Sequence, residues 1–393
     1  MIEYRPLTPD DRERCLALES YAFQVNPELV PLDGEELAQF RGLFVEGQLV
    51  AQLQLHDLRV QMGAGVQAAV GGIGAVASTP ELRRRGYIGA LLRHAVDELR
   101  SSGVALAMLY PFKVSFYSRY GWATCMEQKI YSGEPALFHS FRRAPGHWIA
   151  VGEDELDELD AIYREALRGR FGPVVRTRAW WRNRIMRDWQ QRPYYGYIWR
   201  DEQGKGRSYT IFRFEREARG DLMNCREMVA IDPVARAQLF VFLAGHEGQV
   251  VRVEFRAPAD APVNLLFPDP LECRIQPYFM LRILDVVGAL EAHHYPKDLQ
   301  GQVTIAVTDD WLVENQQIFA LEFAAGTCQV RQMPLGTLPD IQCDSRILAQ
   351  IYSRYLRPRT AATFGTLEVY NREALALFDR AFMGLVPFSV DMF

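Results

Sequence analysis

Gly74-Ala75-Val76-Ala77-Ser78-Thr79-Pro80-Glu81-Leu82-Arg83-Arg84-Arg85-Gly86-Tyr87-Ile88-Gly89-Ala90-Leu91-Leu92 decides how this chain is read. An apolar strand runs into a turn of three arginines, and an amphipathic helix leaves it. Ile88, Leu91, Leu92, Ala95, Val96 and Leu99 recur at helical spacing, with Arg93, His94, Asp97 and Glu98 between them. His94 reads as a solvated helix residue with no role. The helix starts inside the turn, so its first N–H groups lack partners and its dipole adds positive charge there. With arginines alongside, such an end attracts a phosphate or pyrophosphate. Gly86 lets the backbone approach that anion closely. The alternative is a basic surface turn before an ordinary helix; the strand before and the helix after favour the anion site. No Lys-Ser/Thr pair follows the glycines, which excludes a Walker-type loop. Gly72, Gly74 and Ala77 match a dinucleotide fingerprint only in form, because Ser78, Thr79 and Pro80 stand where its helix would open.

The wider composition narrows the class. With 393 residues the expectation is two to three domains, each with its own core. A net charge of -5 argues against a dedicated nucleic-acid binder. Cys15, Cys125, Cys225, Cys273, Cys328 and Cys343 are scattered without a C-x-x-C pair, which points to neither a zinc site nor a disulfide framework and fits a reducing compartment. The start, Met1-Ile2-Glu3-Tyr4-Arg5, reads as a polar-flanked strand and not a signal peptide. No apolar run approaches the ~20 residues of a membrane span. A cytoplasmic protein with no metal, membrane or nucleic-acid partner is expected.

Along the chain, Ile2 to Leu7 reads as a strand and Thr8-Pro9-Asp10 as a helix start. Leu43 to Val45 and Leu49 to Leu55 flank Glu46-Gly47-Gln48 as a hairpin. A further strand ends near Met62, and Gly63-Ala64-Gly65 turns the chain into a strand from Val66 to Ala77. After the arginine turn and its helix, Val104 to Tyr110 forms a parallel neighbour across a right-handed crossover. Phe116-Tyr117-Ser118-Arg119-Tyr120-Gly121-Trp122 follows, with Tyr120 and Trp122 expected in the core. Glu155 to Leu167 is helical, and Trp180-Trp181-Arg182-Asn183-Arg184 reads as the start of another helix. Tyr194 to Trp199 pairs with Ser208 to Phe214. Met223 to Ile231, Asp232-Pro233, a helix from Ala235 to Ala244 and a strand from Val250 to Phe255 then repeat the earlier order without an arginine-glycine loop. From Tyr278 the pattern changes, and the chain ends apolar, as a docked terminus does.

The strand, the Arg83-Arg84-Arg85-Gly86 turn, its helix and the Phe-Tyr-x-Arg-Tyr-Gly-Trp segment together resemble the GCN5-related N-acetyltransferase (GNAT) superfamily. The whole chain is similar to the Eis family of bacterial amine acetyltransferases. The resemblance implies an α+β fold of two tandem GNAT domains, mixed sheets flanked by helices, and a sterol-carrier-like α/β C-terminal domain. The spans are 1–135 for the catalytic domain, 136–277 for a degenerate copy and 278–393 for the last. It further implies acetyl-CoA as cosubstrate and transfer to a primary amine, an aminoglycoside or a polyamine-like molecule. Backbone at Val76, Ala77 and Ser78 would meet the pantetheine arm. Arg84, Arg85, Gly86, Tyr87, Ile88 and Gly89 would hold the pyrophosphate, with Phe112 and Lys113 near the coenzyme. Tyr117 would donate a proton to the departing thiolate, and the C-terminal carboxylate of Phe393 would accept one from the amine. A homo-oligomer, commonly a hexamer, is implied as well. Two other readings stay open: a protein lysine or N-terminal acetyltransferase, and a non-catalytic lipid-binding or scaffold protein.

Overall fold

A computed structural model describes every residue except 1, 31, 33, 64, 189–191, 219 and 335, and the side chain of residue 29. Met1 and the middle of the expected 63–65 turn thus lie outside the described residues. The chain divides into two compact units. One holds the residues up to Met126, Tyr278–Pro387 and Phe393; the other holds Glu127–Pro277 and Phe388–Met392. Among the described residues no helix is long and apolar enough to cross a membrane.

In the first unit, β1 (Ile2–Pro6), β2 (Phe40–Val45), β3 (Gln48–Met62), β4 (Gln67–Ser78), β5 (Leu106–Leu109), the strand Met280–Ile283 and β6 (Ala123–Thr124) lie side by side in the order β1-β2-β3-β4-β5, Met280–Ile283, β6. β2, β3 and β4 are antiparallel, whereas β4 and β5 are parallel, as the crossover expectation requires. β3 runs unbroken where two strands were expected, because β4 pairs with it from Ala51 to Gln61 and no breaker intervenes. Helix α1 (Arg12–Phe23) precedes β2, and α2 (Tyr87–Ser101) is the crossover. Leu91, Leu92, Ala95 and Val96 of α2 pack fully buried against Leu53, Leu55, Ile73 and Leu109. Each such leucine contributes roughly 1.5–3 kcal/mol by leaving water. His94 is exposed as expected, and its ring stacks on Tyr4 at 5.1 Å.

The second unit has a seven-stranded sheet, in which β7 (Glu127–Gly133) and β8 (Gly146–Ala150) join β9 (Tyr195–Asp201), β10 (Gly206–Glu217), β11 (Gly220–Ala230), β12 (Arg252–Pro258) and β13 (Glu272–Pro277). β11 and β12 are parallel, with the helix Pro233–Ala244 between them in sequence, which repeats the β4-α2-β5 unit. The helix expected from Trp180 is present, but short and of changed pitch. A short helical turn, Arg178–Trp180, passes into a π-helical turn, Trp181–Ile185. Tertiary hydrogen bonds tie this helix down, since the Trp181 indole donates to Asp160 at 2.9 Å and the Trp180 indole to Asp391 at 2.9 Å.

The later part of the first unit builds a separate five-stranded sheet in the order Thr327–Gln332, Ile318–Ala324, Gly301–Thr308, Ile341–Asp344 and Leu367–Val369. Helices Ser345–Tyr352 and Arg372–Ala381 accompany it.

Candidate active site

The site starts where β4 and β5 part. Their pairing covers only Gly71–Ile73 against Ala107–Leu109, while β4 continues to Ser78. On the β3 side the register slips between Gln52 and Gln54, and Ala75 takes φ +51°. A bulge of this kind turns the strand and frees backbone groups. Among the described residues, nothing pairs as a strand with the β5-side edge beyond Ile73, so Val76, Ala77 and Ser78 offer a template for an extended ligand.

Beyond Ser78 the chain makes a turn, Pro80–Leu82, and then the arginine segment. Arg84 sits at φ +63° and Gly86 at φ +83°, so two nearby residues adopt left-handed geometry before α2. A Cβ on Gly86 would meet nothing within 4 Å; glycine is needed there for its φ. Arg83, Arg84 and Arg85 are exposed. Arg84 and Arg85 have no side-chain hydrogen bond or ion pair among the described residues. α2 begins with no side-chain cap and no acidic residue in its first turn, and its first ladder bond is Ala90 N to Gly86 O at 3.0 Å. The N–H groups of Tyr87, Ile88 and Gly89 therefore face outward with no intrahelical acceptor. Gly89 has a packing reason: a Cβ would come 3.0 Å from the Tyr120 hydroxyl. In the second unit the corresponding helix end is filled. The Asp232 carboxylate accepts from Ala235 N at 2.8 Å and pairs with Arg207 at 2.8 Å. A protein carboxylate thus takes the place an anionic ligand would need.

After β5 come exposed Phe112 and Lys113, then helix α3 (Val114–Ser118). Tyr117 is 2 % exposed, and the rings of Phe112 and Phe116 stand at 5.5 and 5.1 Å from it. Burial pushes its phenol well above the ordinary tyrosine range, so it stays protonated across neutral pH. Trp122 is fully buried as expected, whereas Tyr120 is half-buried, with its ring 5.8 Å from that of Trp311. Between them, Gly121 has φ +79°, and a Cβ there would lie 2.6 Å from Cζ of Arg282. Arg282 cannot yield, being fully buried and held by Asp309 at 2.7 Å and by the Ser345 hydroxyl at 3.0 Å. Gly121→Ala should therefore lower stability by roughly 2 kcal/mol through φ strain and overpacking. Thermal denaturation reads this, and a change below about 0.5 kcal/mol, the level of a neutral surface substitution, would contradict it.

The chain terminus completes the arrangement. The Phe393 ring stacks on Phe279 at 5.1 Å and meets His56 edge-on at 5.6 Å. A Cβ on Gly72 would be 2.9 Å from that ring, and one on Gly74 would be 2.7 Å from the Phe393 carboxyl carbon. The glycines that mimicked a dinucleotide fingerprint make room for the last residue. The terminal carboxyl lies over β4 at the point where β4 leaves β5. Tyr117 shares a core with Ile73 and Leu109, the last residues before the strands part. The site also contains residues not singled out from sequence: Gln52, Gln54 and His56 on β3, and Glu19 on α1. Their signal was the alternation Gln52-Leu53-Gln54-Leu55-His56, which reads as one wet strand face; in the fold these positions are buried. Burial pushes the Glu19 carboxyl up to about 7, although Gln52 donates to it at 2.8 Å.

Comparison with known proteins now identifies the chain. Two stretches, 3–125 and 172–283, match models of the acetyltransferase (GNAT) domain, and 286–389 matches the sterol carrier protein domain. N-acetyltransferase Eis of Mycobacterium tuberculosis is 25% identical over 398 residues, spanning 95% of this chain and 94% of that protein. The chain is an Eis-like GNAT acetyltransferase. An N-acetyltransferase of Streptomyces griseus is 26% identical over 79% of this chain and 80% of its own length. The fold matches a GCN5-related N-acetyltransferase from Anabaena variabilis with a TM-score of 0.89, at 24% identity and across 100% of both chains. The β4-α2-β5 crossover thus lies in the first GNAT match and the β11-helix-β12 crossover in the second; the first helix end is open and the second is capped by Asp232.

Proposed function

We propose that this enzyme moves the acetyl group of acetyl-CoA directly to a primary amine of a small molecule, an aminoglycoside or polyamine-like compound, in the cytoplasm and as a homo-oligomer. The observation that carries the coenzyme assignment is the uncapped N-terminus of α2 beside unpaired Arg84 and Arg85, directly after a strand edge left open at Val76–Ser78. That combination suits a long ligand with an extended amide arm and a pyrophosphate. The acceptor class follows from the Eis resemblance.

Acetyl-CoA supplies an activated thioester. Arg84, Arg85 and the N–H groups of Tyr87, Ile88 and Gly89 hold its pyrophosphate, and the β4 edge aligns its arm. Phe112 and Lys113 flank it. The Phe393 carboxylate takes the proton that the attacking amine must lose. Tyr117, kept protonated by burial, gives its phenolic proton to the sulfur that leaves.

Release of free CoA, followed with a thiol reagent across aminoglycosides, polyamines and lysine peptides, tests the proposal. Turnover with a small amine supports it. Turnover with the peptides alone would make the acceptor a protein, and no consumption of acetyl-CoA would end the coenzyme reading. Tyr117→Phe should lower kcat about 10²-fold while leaving the KM for acetyl-CoA within twofold. Native turnover in that variant would remove Tyr117 from the mechanism.

A further inference from the structure

A strand covered on both faces is ordinarily apolar on both. β3 breaks that rule on one face with Gln52, Gln54 and His56, none more than 6% exposed. Such breaks concentrate at functional sites. Two of the three have side-chain partners that account for them: Gln52 donates to Glu19 at 2.8 Å, and Gln54 to Gln39 at 3.2 Å. The third points elsewhere. Measured from the place a Gly74 Cβ would occupy, Nε2 of His56 is 3.2 Å away, the Phe393 carboxyl carbon 2.7 Å and its oxygen 2.9 Å. The imidazole and the terminal carboxyl therefore converge over one backbone position, and any side chain at Gly74 would drive them apart. The Phe393 ring, fixed against Phe279 and the edge of His56, leaves the carboxyl little freedom to swing away.

We propose that His56 is a positioning residue for the terminal carboxylate: its Nε2–H donates through one bridging water to that carboxylate and holds one oxygen toward the acceptor amine. The inference rests on Phe393 acting as the base. In the step it serves, the amine N–H bond breaks and the proton passes to the free carboxylate oxygen; the nitrogen lone pair forms the bond to the acetyl carbon, and the thioester C–S bond breaks with its electron pair leaving on the sulfur that Tyr117 protonates. His56 keeps its proton and its water-bridged link to the other oxygen. An unsupported carboxylate would rotate and lose alignment with the amine, which costs rate more than binding.

The test uses the full chain in five forms: native, His56→Leu, His56→Gln, a chain extended by one glycine beyond Phe393, and the extended chain bearing His56→Leu. Two readouts are taken, steady-state acetylation of the amine and the 15N signals of histidine rings by NMR. His56→Leu should lower kcat about 10-fold or more with the KM for acetyl-CoA within twofold, and His56→Gln, which keeps a donor, should recover much of the loss. The doubly altered chain should be no slower than the extended chain alone, because both changes disable one unit. The ring signal missing from His56→Leu should move when the chain is extended. Native turnover in His56→Leu, losses that multiply in the combined form, or a ring signal indifferent to the extension would each overturn the pairing. Full turnover in the extended chain would instead overturn Phe393 as the base and the pairing with it. An extended chain that is inactive beside a fully active His56→Leu overturns the pairing alone. If His56→Leu does not fold, His56→Gln and the ring signals of the native and extended chains decide.

Discussion

A chain extended by a single glycine beyond Phe393 is expected to lose about 10²-fold or more in kcat for amine acetylation, with the KM for acetyl-CoA nearly unchanged. The added residue does not unseat the phenylalanine, whose ring is packed between Phe279 and His56 with Gly72 beneath it. It converts the carboxylate over Gly74 into a neutral peptide carbonyl and carries the new carboxylate ~3.5 Å onward. A peptide carbonyl cannot accept the amine proton at neutral pH, and a displaced carboxylate is out of line with the amine. Phe393→Leu separates charge from packing, because it retains the terminal carboxylate and should retain more activity than the extended chain. Steady-state kinetics on the three forms decide the matter. An extended chain within twofold of native would show that the terminus is an anchor and not a base.

The second large effect concerns stability. In the second unit Asp391 is fully buried and accepts hydrogen bonds from Nε of Arg176 at 2.8 Å, the Trp180 indole at 2.9 Å, the Ser389 hydroxyl at 2.8 Å and the Tyr163 hydroxyl at 3.2 Å. Arg176 is also paired with Glu227 at 2.8 Å and lies over the rings of Tyr163 at 3.9 Å and Trp181 at 4.2 Å. Burial opposes the Asp391 charge, yet Arg176 and the hydrogen bonds outweigh it and hold the carboxyl below its ordinary range. Asp391→Asn keeps the shape, removes the charge and turns an amide toward these donors. Breaking one partner from a buried ionic cluster costs about 3–5 kcal/mol, and that loss is expected in urea denaturation near neutral pH. The sign of the pH dependence follows from the depressed value. The contribution of Asp391 is present above the unfolded carboxyl pKa of about 3.9 and disappears as pH falls through the lower folded value. The difference between native protein and variant should therefore shrink only below about pH 4. A loss under about 1 kcal/mol at neutral pH would mean that the cluster is no more than a surface-like ion pair.

The strand-turn-helix from Gly74 to Leu99 was legible because its evidence is local. Helical periodicity from Ile88 to Leu99, a left-handed position filled by Gly86, and arginines at a helix start depend on neighbours within a few residues. The second GNAT domain was legible for the same reason, as an order of strands and helices repeated without the arginines. The degeneracy of that copy acquired its physical cause only in the fold, where the Asp232 side chain caps its helix. The Trp180 segment was legible as a helix but not in its π-helical pitch or its partners, because its indoles answer to Asp160 and Asp391, which are distant in sequence. The alternating polar residues of β3 drew no assignment from the sequence, since period-2 polarity does not say whether a face is covered.

By itself, then, the sequence determined the class of each domain, the crossover around α2, the arginine turn at its start and the apolar character of the terminus. Tertiary structure alone decided that Gly72 and Gly74 exist to admit Phe393, that His56 stands beside its carboxyl, and that Gly121 yields space to Arg282. The division has a physical origin. Backbone conformation and amphipathicity are set by interactions between near neighbours in the chain. The convergence of residues 56, 74 and 393 is a long-range packing outcome that no local pattern encodes.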